Sequence, residues 1–298
     1  MVLQHDVAVV VDSSSCLPPD LLRKWNITVV PHELVIGQRS FRDGVDIQPD
    51  EFYRLLGQGK QPTLTTAAPQ PGRFLEAFLE AGQRARNVLC LTLSAQFSAT
   101  YNSACAAVEQ ANGQMSPNKV RVIDSRAAAG GSGLIALAAA RWASMGHNLD
   151  QVVANVERLV PKVNLLAFLD TLRYLSRSGR VRKFEAWAGS LLGVRPLTEL
   201  RLGEARMLER PRSRARATER LLEIMGQRVG RMPVTVNVME ADAPADANAL
   251  SRRIESAFNC LELFVSQFTP VMGLHTGPGL LGVAFYVDDE NGEPASEA

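Results

Sequence analysis

Apolar and polar positions follow two alternating patterns through the first half of the chain. Apolar runs occupy residues 7–11 (VAVVV) and 87–93 (NVLCLTL), as is typical of strands buried on both faces of a sheet, and residues 119–124 (KVRVID) are expected to form the next strand. Each run is followed by a segment expected to form a helix, and in the helix expected over about 73–84 the apolar residues Phe74, Leu75, Phe78 and Leu79 share one face. Repeated strand-helix units predict an α/β fold in which residues 1–155 form a domain with a parallel sheet and helices on both faces.

The pattern changes near residue 150, where hairpins begin to mix with helices. Gly203 separates the two apolar-polar runs LTELRL and EARMLE and is expected to turn a hairpin, as Gly37 does earlier in the chain. The late runs ELFVSQF and GVAFYV indicate further strands. We therefore expect an α+β C-terminal domain over residues 156–287 and a loose polar tail over 288–298.

Composition narrows the class of protein. Of 298 residues 46% are hydrophobic, which is enough for a sizeable core and excludes a disordered chain. The 32 basic and 31 acidic residues leave a net charge of +1, so no overall field attracts nucleic acid or an anionic membrane. The four cysteines are scattered along the chain, and no two of them form a Cys-x-x-Cys motif. This argues against a disulfide framework and against a zinc site.

No targeting or membrane segment is recognisable. The N-terminus lacks the basic opening of a signal peptide, and its apolar run stops at Asp12. The most apolar later stretch, residues 127–140, is shorter than the roughly 20 residues that span a bilayer. The sequence predicts a soluble cytoplasmic protein with no integral membrane segment, no cofactor and no metal.

The clearest chemical signal is LTLSAQFSATYNSA, residues 91–104. A strand ends at Leu93, a hydroxyl-rich loop follows, and a helix is expected to start near Phe97. In an open parallel sheet, ligands bind beyond the carboxyl ends of the strands, and a helix N-terminus there suits a carboxylate or a phosphate. Ser94 is the candidate donor, and simple helix capping by Ser94 or Ser98 is the alternative.

Two further segments carry candidate polar groups. The loop expected over residues 61–72 contains three threonines in a proline-punctuated stretch. The segment GLHTGPGLLGVAF, residues 273–285, places His275 in a sharply bent, glycine-rich stretch where its imidazole could donate to an anion. A turn between two buried strands explains the second segment equally well.

A group of arginines in the second half admits three interpretations. They are interleaved with glutamates, and they could form a nucleic-acid patch, a solvated face or a docking surface for an acidic partner. The balanced net charge favours the solvated face. The group comprises Arg201, Arg206, Arg210, Arg212, Arg214, Arg216 and Arg220.

Familiar catalytic and nucleotide-binding motifs are missing from the sequence. There is no GxxxxGK[ST] loop, no GxGxxG, no GxSxG and no HExxH. The glycine-rich run at residues 130–133 follows a strand but fits neither nucleotide pattern. The chain thus offers no ready-made catalytic apparatus and no cofactor fingerprint.

Taken in order, several segments resemble the DegV family over nearly the whole chain. They are VAVVVDSSSCLPPDLL, FRDGVDIQPDEFYRLL, TAAPQPGRF, LSAQFSATYNSA, VRVIDSRAAAGGSG, DTLRYLSRSGRV and LHTGPGLLGVAF. The third stands where the family has a Thr-Ser-Gln-Pro-Ser run, and the fourth resembles the family's Ser-Ser-Gly-Leu-Ser-Gly-Thr-Tyr segment.

The resemblance implies two α/β-type domains with a long-chain fatty acid in a tunnel between them. By position it implies that Thr66, Ser94 and His275 hold the carboxylate, and that Arg173 lies near the carboxylate end or the partner-facing surface. Bacterial members are the non-catalytic, acyl-carrying subunit of a fatty acid kinase. A separate ATP-binding kinase subunit phosphorylates the bound carboxyl group to an acyl phosphate for phospholipid synthesis.

The sequence departs from the family pattern at Ala67, Ala95 and Ala99, and at Arg177–Gly179, which replaces a Gly-Gly turn. Two of these changes remove hydroxyl groups, so Thr65 could take the role assigned to Thr66. The alternative function is a stand-alone enzyme that acts on a carboxylated or phosphorylated small molecule with His275 as acid/base. That enzyme would have a polar, water-accessible cleft instead of an apolar tunnel.

Overall fold

A computed structural model describes residues 5–58, 64–115, 117–180 and 193–288. Thirteen strands in these residues form three sheets. The four strands of the first sheet are β1 (His5–Asp12), β2 (Thr28–Val30), β6 (Ala85–Thr92) and β7 (Val120–Asp124). They are parallel throughout in the order β2-β1-β6-β7, which confirms the parallel sheet that the apolar runs predicted.

Helices cover both faces of this sheet. One face packs against Phe74, Phe78 and a row of small alanines, and the other packs against the alanine-rich stretch near Leu134 and Leu137. The helices of this half are α1 (Pro19–Lys24), α2 (Pro49–Gly57), α3 (Pro71–Gly82), α4 (Thr100–Met115), α5 (Ala129–Ser144) and α6 (Leu149–Leu159). The strand-helix alternation thus yields the α/β architecture.

The threonine segment is a strand, not the loop that the sequence predicted. β5 (Leu64–Ala67) pairs antiparallel with β3 (Glu33–Ile36), which places Thr66 opposite Leu34, and β4 (Arg39–Arg42) completes a three-stranded sheet. Its partner lies some thirty residues earlier, so nothing local in the threonine-rich sequence reveals the pairing. Gly37, at φ = 63°, makes the expected hairpin turn between β3 and β4.

The third sheet is mixed and has six strands. They are β8 (Asn164–Phe168), β9 (Leu197–Arg201), β10 (Glu204–Glu209), β11 (Val234–Glu240), β12 (Cys260–Gln267) and β13 (Leu281–Val287). Their order is β10-β9-β8-β13-β11-β12, and only β11 and β12 pair in parallel. Gly203, at φ = 79°, turns the predicted β9–β10 hairpin.

The two faces of the third sheet have different neighbours. One face forms a second core with α8 (Arg214–Val229) and α9 (Pro244–Ala257). The opposite face meets the N-terminal end of α5, where the Gly130 N–H lies 3.2 Å from the Met239 sulfur. The parallel sheet is thereby joined to the third sheet through α5.

Two short helices complete the architecture near the join, α7 (Arg173–Ser178) and α10 (Pro270–Thr276). His275 therefore lies in the last turn of a helix, and the turn proper is confined to the few residues between α10 and β13. No helix within the described ranges is long and apolar enough to cross a membrane. The tail expected from 288 lies outside the described residues from 289 onward.

Candidate functional site

A mostly apolar cavity lies where the three sheets meet. Its walls come from the loops after β6 and β7, from β5, from α10 and from the face of the third sheet that looks toward α5. Apolar side chains dominate, among them Phe97, Leu165, Leu200, Ala205 and Met272. The cavity is therefore found beyond the carboxyl ends of the parallel strands, where the topology favours a ligand.

Polar groups line the cavity in two regions. His32, Thr66, Ser98, Arg180 and His275 form the larger set. Thr198 and Glu199 lie elsewhere on the wall. Their polar atoms are already used, because the Thr198 hydroxyl donates to the Ala167 carbonyl and Glu199 pairs with Arg206 and Arg228. The larger set is the candidate site.

Thr66 and His275 meet across 209 residues of sequence. The Oγ1 of Thr66 on β5 lies 3.0 Å from the Nε2 of His275 on α10. Burial, aided by the positive charge of Arg180, lowers the pKa of His275 to about 4. The imidazole is therefore neutral near pH 7, and only one of its two nitrogens carries a hydrogen.

Close packing fixes the helix that carries His275. A Cβ at Gly273 would stand 2.4 Å from the hydroxyl oxygen of Tyr53, and one at Gly277 would stand 2.2 Å from the ring of Tyr174. Gly277 also ends the helix at φ = 77°, a conformation that favours glycine. The two glycines let α10 lie directly on the two tyrosines, so the imidazole has a defined position.

Ser94 is not on the cavity wall. Its side chain is fully buried, its Oγ accepts a hydrogen bond from the Gln96 N–H, and it lies under Gly203 of the β9–β10 hairpin. Ser98, four residues later in the same loop, lines the cavity instead. The sequence placed the helix start near Phe97, whereas α4 begins at Thr100, so the loop reaches further than expected.

A chain of buried polar groups stands behind Ser98. The Ser98 Oγ lies 2.7 Å from the Thr100 Oγ1, which in turn lies 3.0 Å from the Nε2 of His32. The Nδ1 of His32 lies 3.2 Å from the Ser13 Oγ, and Ser13 donates to Asp43 at 2.6 Å. Sequence reasoning missed this chain, because its five members belong to four separate segments and match no motif.

Arg173 lies in a second, more polar cleft that adjoins the cavity. Thr66, His275 and Arg180 line both spaces, whereas Arg173 and Arg177 line only the outer cleft. Arg180 donates to the Phe97 carbonyl at 3.1 Å, which ties the segment after α7 to the serine loop. Among the described residues, no carboxylate lies within ion-pair distance of Arg173, Arg177 or Arg180, so the described lining of the outer cleft is positively charged.

The arginine group of the second half is largely paired with acidic side chains. Arg206 pairs with Glu199, and Arg220 pairs with Glu209 and Glu223. Arg214 bridges Asp170 and Asp246. A guanidinium group that is paired with a carboxylate attracts a phosphate only weakly. These contacts therefore favour a surface of paired charges over a nucleic-acid patch.

The fold and the site together define a class. It is an α/β protein whose apolar cavity ends at hydroxyl and imidazole groups beside a cationic cleft. Residues 6–288 match the model of a family described as "Uncharacterised protein, DegV family". The chain belongs to the DegV family.

Relatives and solved structures agree with this placement. A DegV domain-containing protein of Streptomyces coelicolor is 36% identical over 283 residues, covering 94% of this chain and 98% of its own. A DegV family protein from Thermus thermophilus, described by its fatty acid binding, is similar with a TM-score of 0.86 and 31% identity, covering 95% of this chain and all of its own.

A Thermotoga maritima protein described as revealing a fatty acid binding function is similar with a TM-score of 0.83 and 25% identity. The match covers 95% of this chain and 100% of the Thermotoga maritima chain. Both of these solved structures are thus described by fatty acid binding, at 31% and 25% identity to this chain.

Proposed function

We propose that this chain binds a long-chain fatty acid in the apolar cavity, with the carboxylate at Thr66, Ser98 and His275. The supporting observation is a mostly apolar cavity that ends in a small set of hydrogen-bonding groups. Each buried methylene contributes about 0.8 kcal/mol, so a long tail supplies the affinity. A carboxylate at the cavity end needs donors, because burying it unpaired is prohibitively unfavourable.

The positions of the polar hydrogen atoms give His275 and Thr66 distinct roles. The neutral imidazole places its hydrogen on Nε2 and donates to the Thr66 Oγ1, which leaves the threonine O–H free to donate to the carboxylate. The Nδ1 of His275 is then an acceptor, and it is buried without a partner among the described residues. An unpaired acceptor is the more tolerable arrangement, because the alternative tautomer would bury an unpaired N–H.

The tail runs toward the β8–β9–β10 side of the cavity in this proposal. Leu165, Leu200 and Ala205 are paired directly across these strands and line the cavity. Leu165 lies three residues before Phe168, where β8 ends and the chain continues toward α7. Three residues of a strand span about 10 Å. This row would contact the middle or end of a bound acyl chain.

The substitutions that depart from the family pattern have unequal consequences. Ala95 and Ala99 are exposed and do not line the cavity, so a hydroxyl at either position would not face the ligand. Ala67 does line the cavity and is the one place where a head-group donor is missing. The site therefore relies on Thr66, Ser98 and His275.

The proposed role of the protein is to present its ligand to a separate ATP-binding kinase subunit, which forms the acyl phosphate. The cleft of Arg173, Arg177 and Arg180 supports this role, because guanidinium groups suit a phosphate. The stand-alone enzyme is less well supported. His275 with a pKa of about 4 is a poor proton donor at neutral pH, and its Nε2 is occupied by Thr66.

Extraction of the denatured protein followed by mass spectrometry tests the proposal. One fatty acid per chain, or uptake of added palmitate or oleate to that stoichiometry, is expected. A protein that carries no acyl chain and takes up neither acid would refute fatty acid binding. If it binds the acid but a matched ATP-binding kinase subunit forms no acyl phosphate from the complex, only the kinase role fails.

A further inference from the structure

The polar chain behind Ser98 joins the cavity to two buried carboxylates. We call Ser98, Thr100, His32, Ser13 and Asp43 the hydroxyl relay. Thr100, Ser13 and Asp43 are almost completely buried, and His32 is only 3% exposed where it lines the cavity, so these groups bond to one another instead of to bulk water. The direction of one hydrogen bond in the relay therefore fixes the direction of the next.

Ser13 sets the inner end of the relay. Its Oγ accepts from the backbone N–H of His32 at 3.1 Å and donates to the Asp43 Oδ2 at 2.6 Å. With Asp43 ionised, the hydroxyl hydrogen of Ser13 is committed to the carboxylate. The Nδ1 of His32, 3.2 Å away, must then carry its own hydrogen and donate to Ser13.

With the hydrogen bonds in this direction, Ser98 has no hydrogen to donate to a carboxylate. A neutral His32 with its hydrogen on Nδ1 accepts at Nε2 from Thr100, and Thr100 then accepts from Ser98. The hydrogen of Ser98 points inward and its Oγ accepts from the Thr100 backbone N–H at 3.3 Å, so only the remaining lone pair faces the cavity. Lone pairs repel a carboxylate.

One additional proton on the His32–Asp43 pair reverses the relay. The proton resides either on the imidazole, which becomes doubly protonated, or on Asp43 with the Ser13 and ring hydrogens reversed. In both cases Nε2–H donates to Thr100, and Thr100 donates to Ser98. Ser98 can then donate its own hydrogen to the ligand.

We propose that His32 is a positioning residue for the head group, and that binding of a carboxylate at Ser98 takes up one proton from solvent onto the buried His32–Asp43 pair. This inference rests on the proposed fatty acid function. His32 acts through Thr100 and Ser98 and need not touch the carboxylate.

The groups around the pair are compatible with an extra proton. Asp12 lies 3.7 Å from the Nδ1 of His32 and accepts hydrogen bonds from the Leu93 N–H and from Ser14, and burial raises the pKa of Asp43.

Three other buried groups face the two carboxylates, and burial raises the pKa of each: that of the Cys16 thiol to about 12, and those of Tyr53 and Cys90 well above their ordinary values. His275, with a pKa of about 4, and Arg180, which stays charged, line the same cavity as His32, so none of these groups titrates between pH 6.5 and 9.

Calorimetric titration with decanoate in buffers of different ionisation enthalpy counts the protons taken up. Between pH 6.5 and 9 the ligand stays ionised, so uptake reports on the protein. We expect the wild-type chain to take up as much as one proton, and its affinity to fall by up to about tenfold for each pH unit of increase. Thr100→Val is expected to lose the uptake, and Thr100→Ser, which keeps the hydroxyl, is expected to retain it.

His32→Gln tests the imidazole itself, with His147→Gln as its control. His147 lies at the start of α6, outside the relay, and contacts Asn155. We expect only the first variant to lose proton uptake. Decanoate binding by the wild type without proton uptake, or uptake that persists in Thr100→Val, would overturn the relay. If neither decanoate nor oleate binds at any pH, the proposed function is overturned instead.

Discussion

At the residue scale, the hydrogen bond between Thr66 and His275 is the contact on which the proposed site depends. A hydrogen bond to a charged group contributes about 1.5–3 kcal/mol. We expect Thr66→Val, which removes the hydroxyl and keeps the shape, to weaken fatty acid binding roughly ten- to a hundredfold. Fluorescence displacement with a fatty acid probe measures the change.

Thr65→Val is the matched control, because Thr65 is the neighbouring hydroxyl and lines only the outer cleft. Its affinity should stay within a few-fold of the wild type. If Thr65→Val weakens binding more than Thr66→Val does, the head group uses Thr65.

The two serines of the 94–98 loop should respond differently to alanine substitution. Ser98 lines the cavity, whereas the Ser94 hydroxyl is engaged with the Gln96 N–H beneath Gly203. We expect Ser98→Ala to weaken fatty acid binding about tenfold or more, and Ser94→Ala to act mainly on thermal stability. The reverse ranking in binding titrations would assign the contact to Ser94.

The neutral state of His275 makes stability depend on pH. Its pKa is about 4 in the folded chain against an ordinary value of 6.5, so the unfolded chain binds the proton more tightly. The contribution of the neutral His275 imidazole to the free energy of unfolding is complete above pH 6.5. It is lost as the pH falls toward 4, by up to about 3 kcal/mol. Urea unfolding of the wild type and His275→Gln over this range should show a flatter pH profile for the variant. Parallel profiles would contradict the buried neutral imidazole.

At the element scale, the β9–β10 hairpin is expected to set how long a tail fits. Ala205 lines the cavity from β10, and its neighbour Glu204 is exposed on the opposite face of the strand. Ala205→Phe should therefore reduce affinity for sixteen- and eighteen-carbon acids at least tenfold, with a smaller effect on decanoate.

Glu204→Phe introduces the same ring on the other face and is expected to leave the order of affinities unchanged. The measurement is a series of binding titrations over chain length. An equal loss for all chain lengths in Ala205→Phe would mean that the row contacts the head and not the tail.

At the scale of the whole molecule, the cavity is bounded by all three sheets, so its ligand should stabilise the complete fold. A ligand at a hundred times its dissociation constant adds about 2.7 kcal/mol to the free energy of unfolding. For a chain of this size we expect an increase of about 5–10 °C in Tm. Differential scanning fluorimetry of delipidated protein with and without oleate measures it. A rise of the same size with a short acid such as butyrate would show that filling the cavity is not the cause.

The sequence predicted most elements because their signals are local. The predicted strands over residues 7–11, 87–93 and 119–124 became β1, β6 and β7, and Gly37 and Gly203 turned the expected hairpins. It failed at β5, whose partner is distant, and at the start of α4, which lies three residues later than expected. Both errors concern backbone contacts that apolar periodicity does not encode.

The amino-acid sequence alone therefore determined the fold class, the family and the segments that carry polar groups, because each depends on local pattern or on ordered motifs. The tertiary structure decided which side chains meet. It brought Thr66 to His275, placed Ser98 on the cavity in preference to Ser94, and connected His32 to Thr100 across 68 residues. Such contacts depend on how distant strands pair and how helices pack, and glycines such as Gly277 permit the close approach that no spacing along the chain reveals.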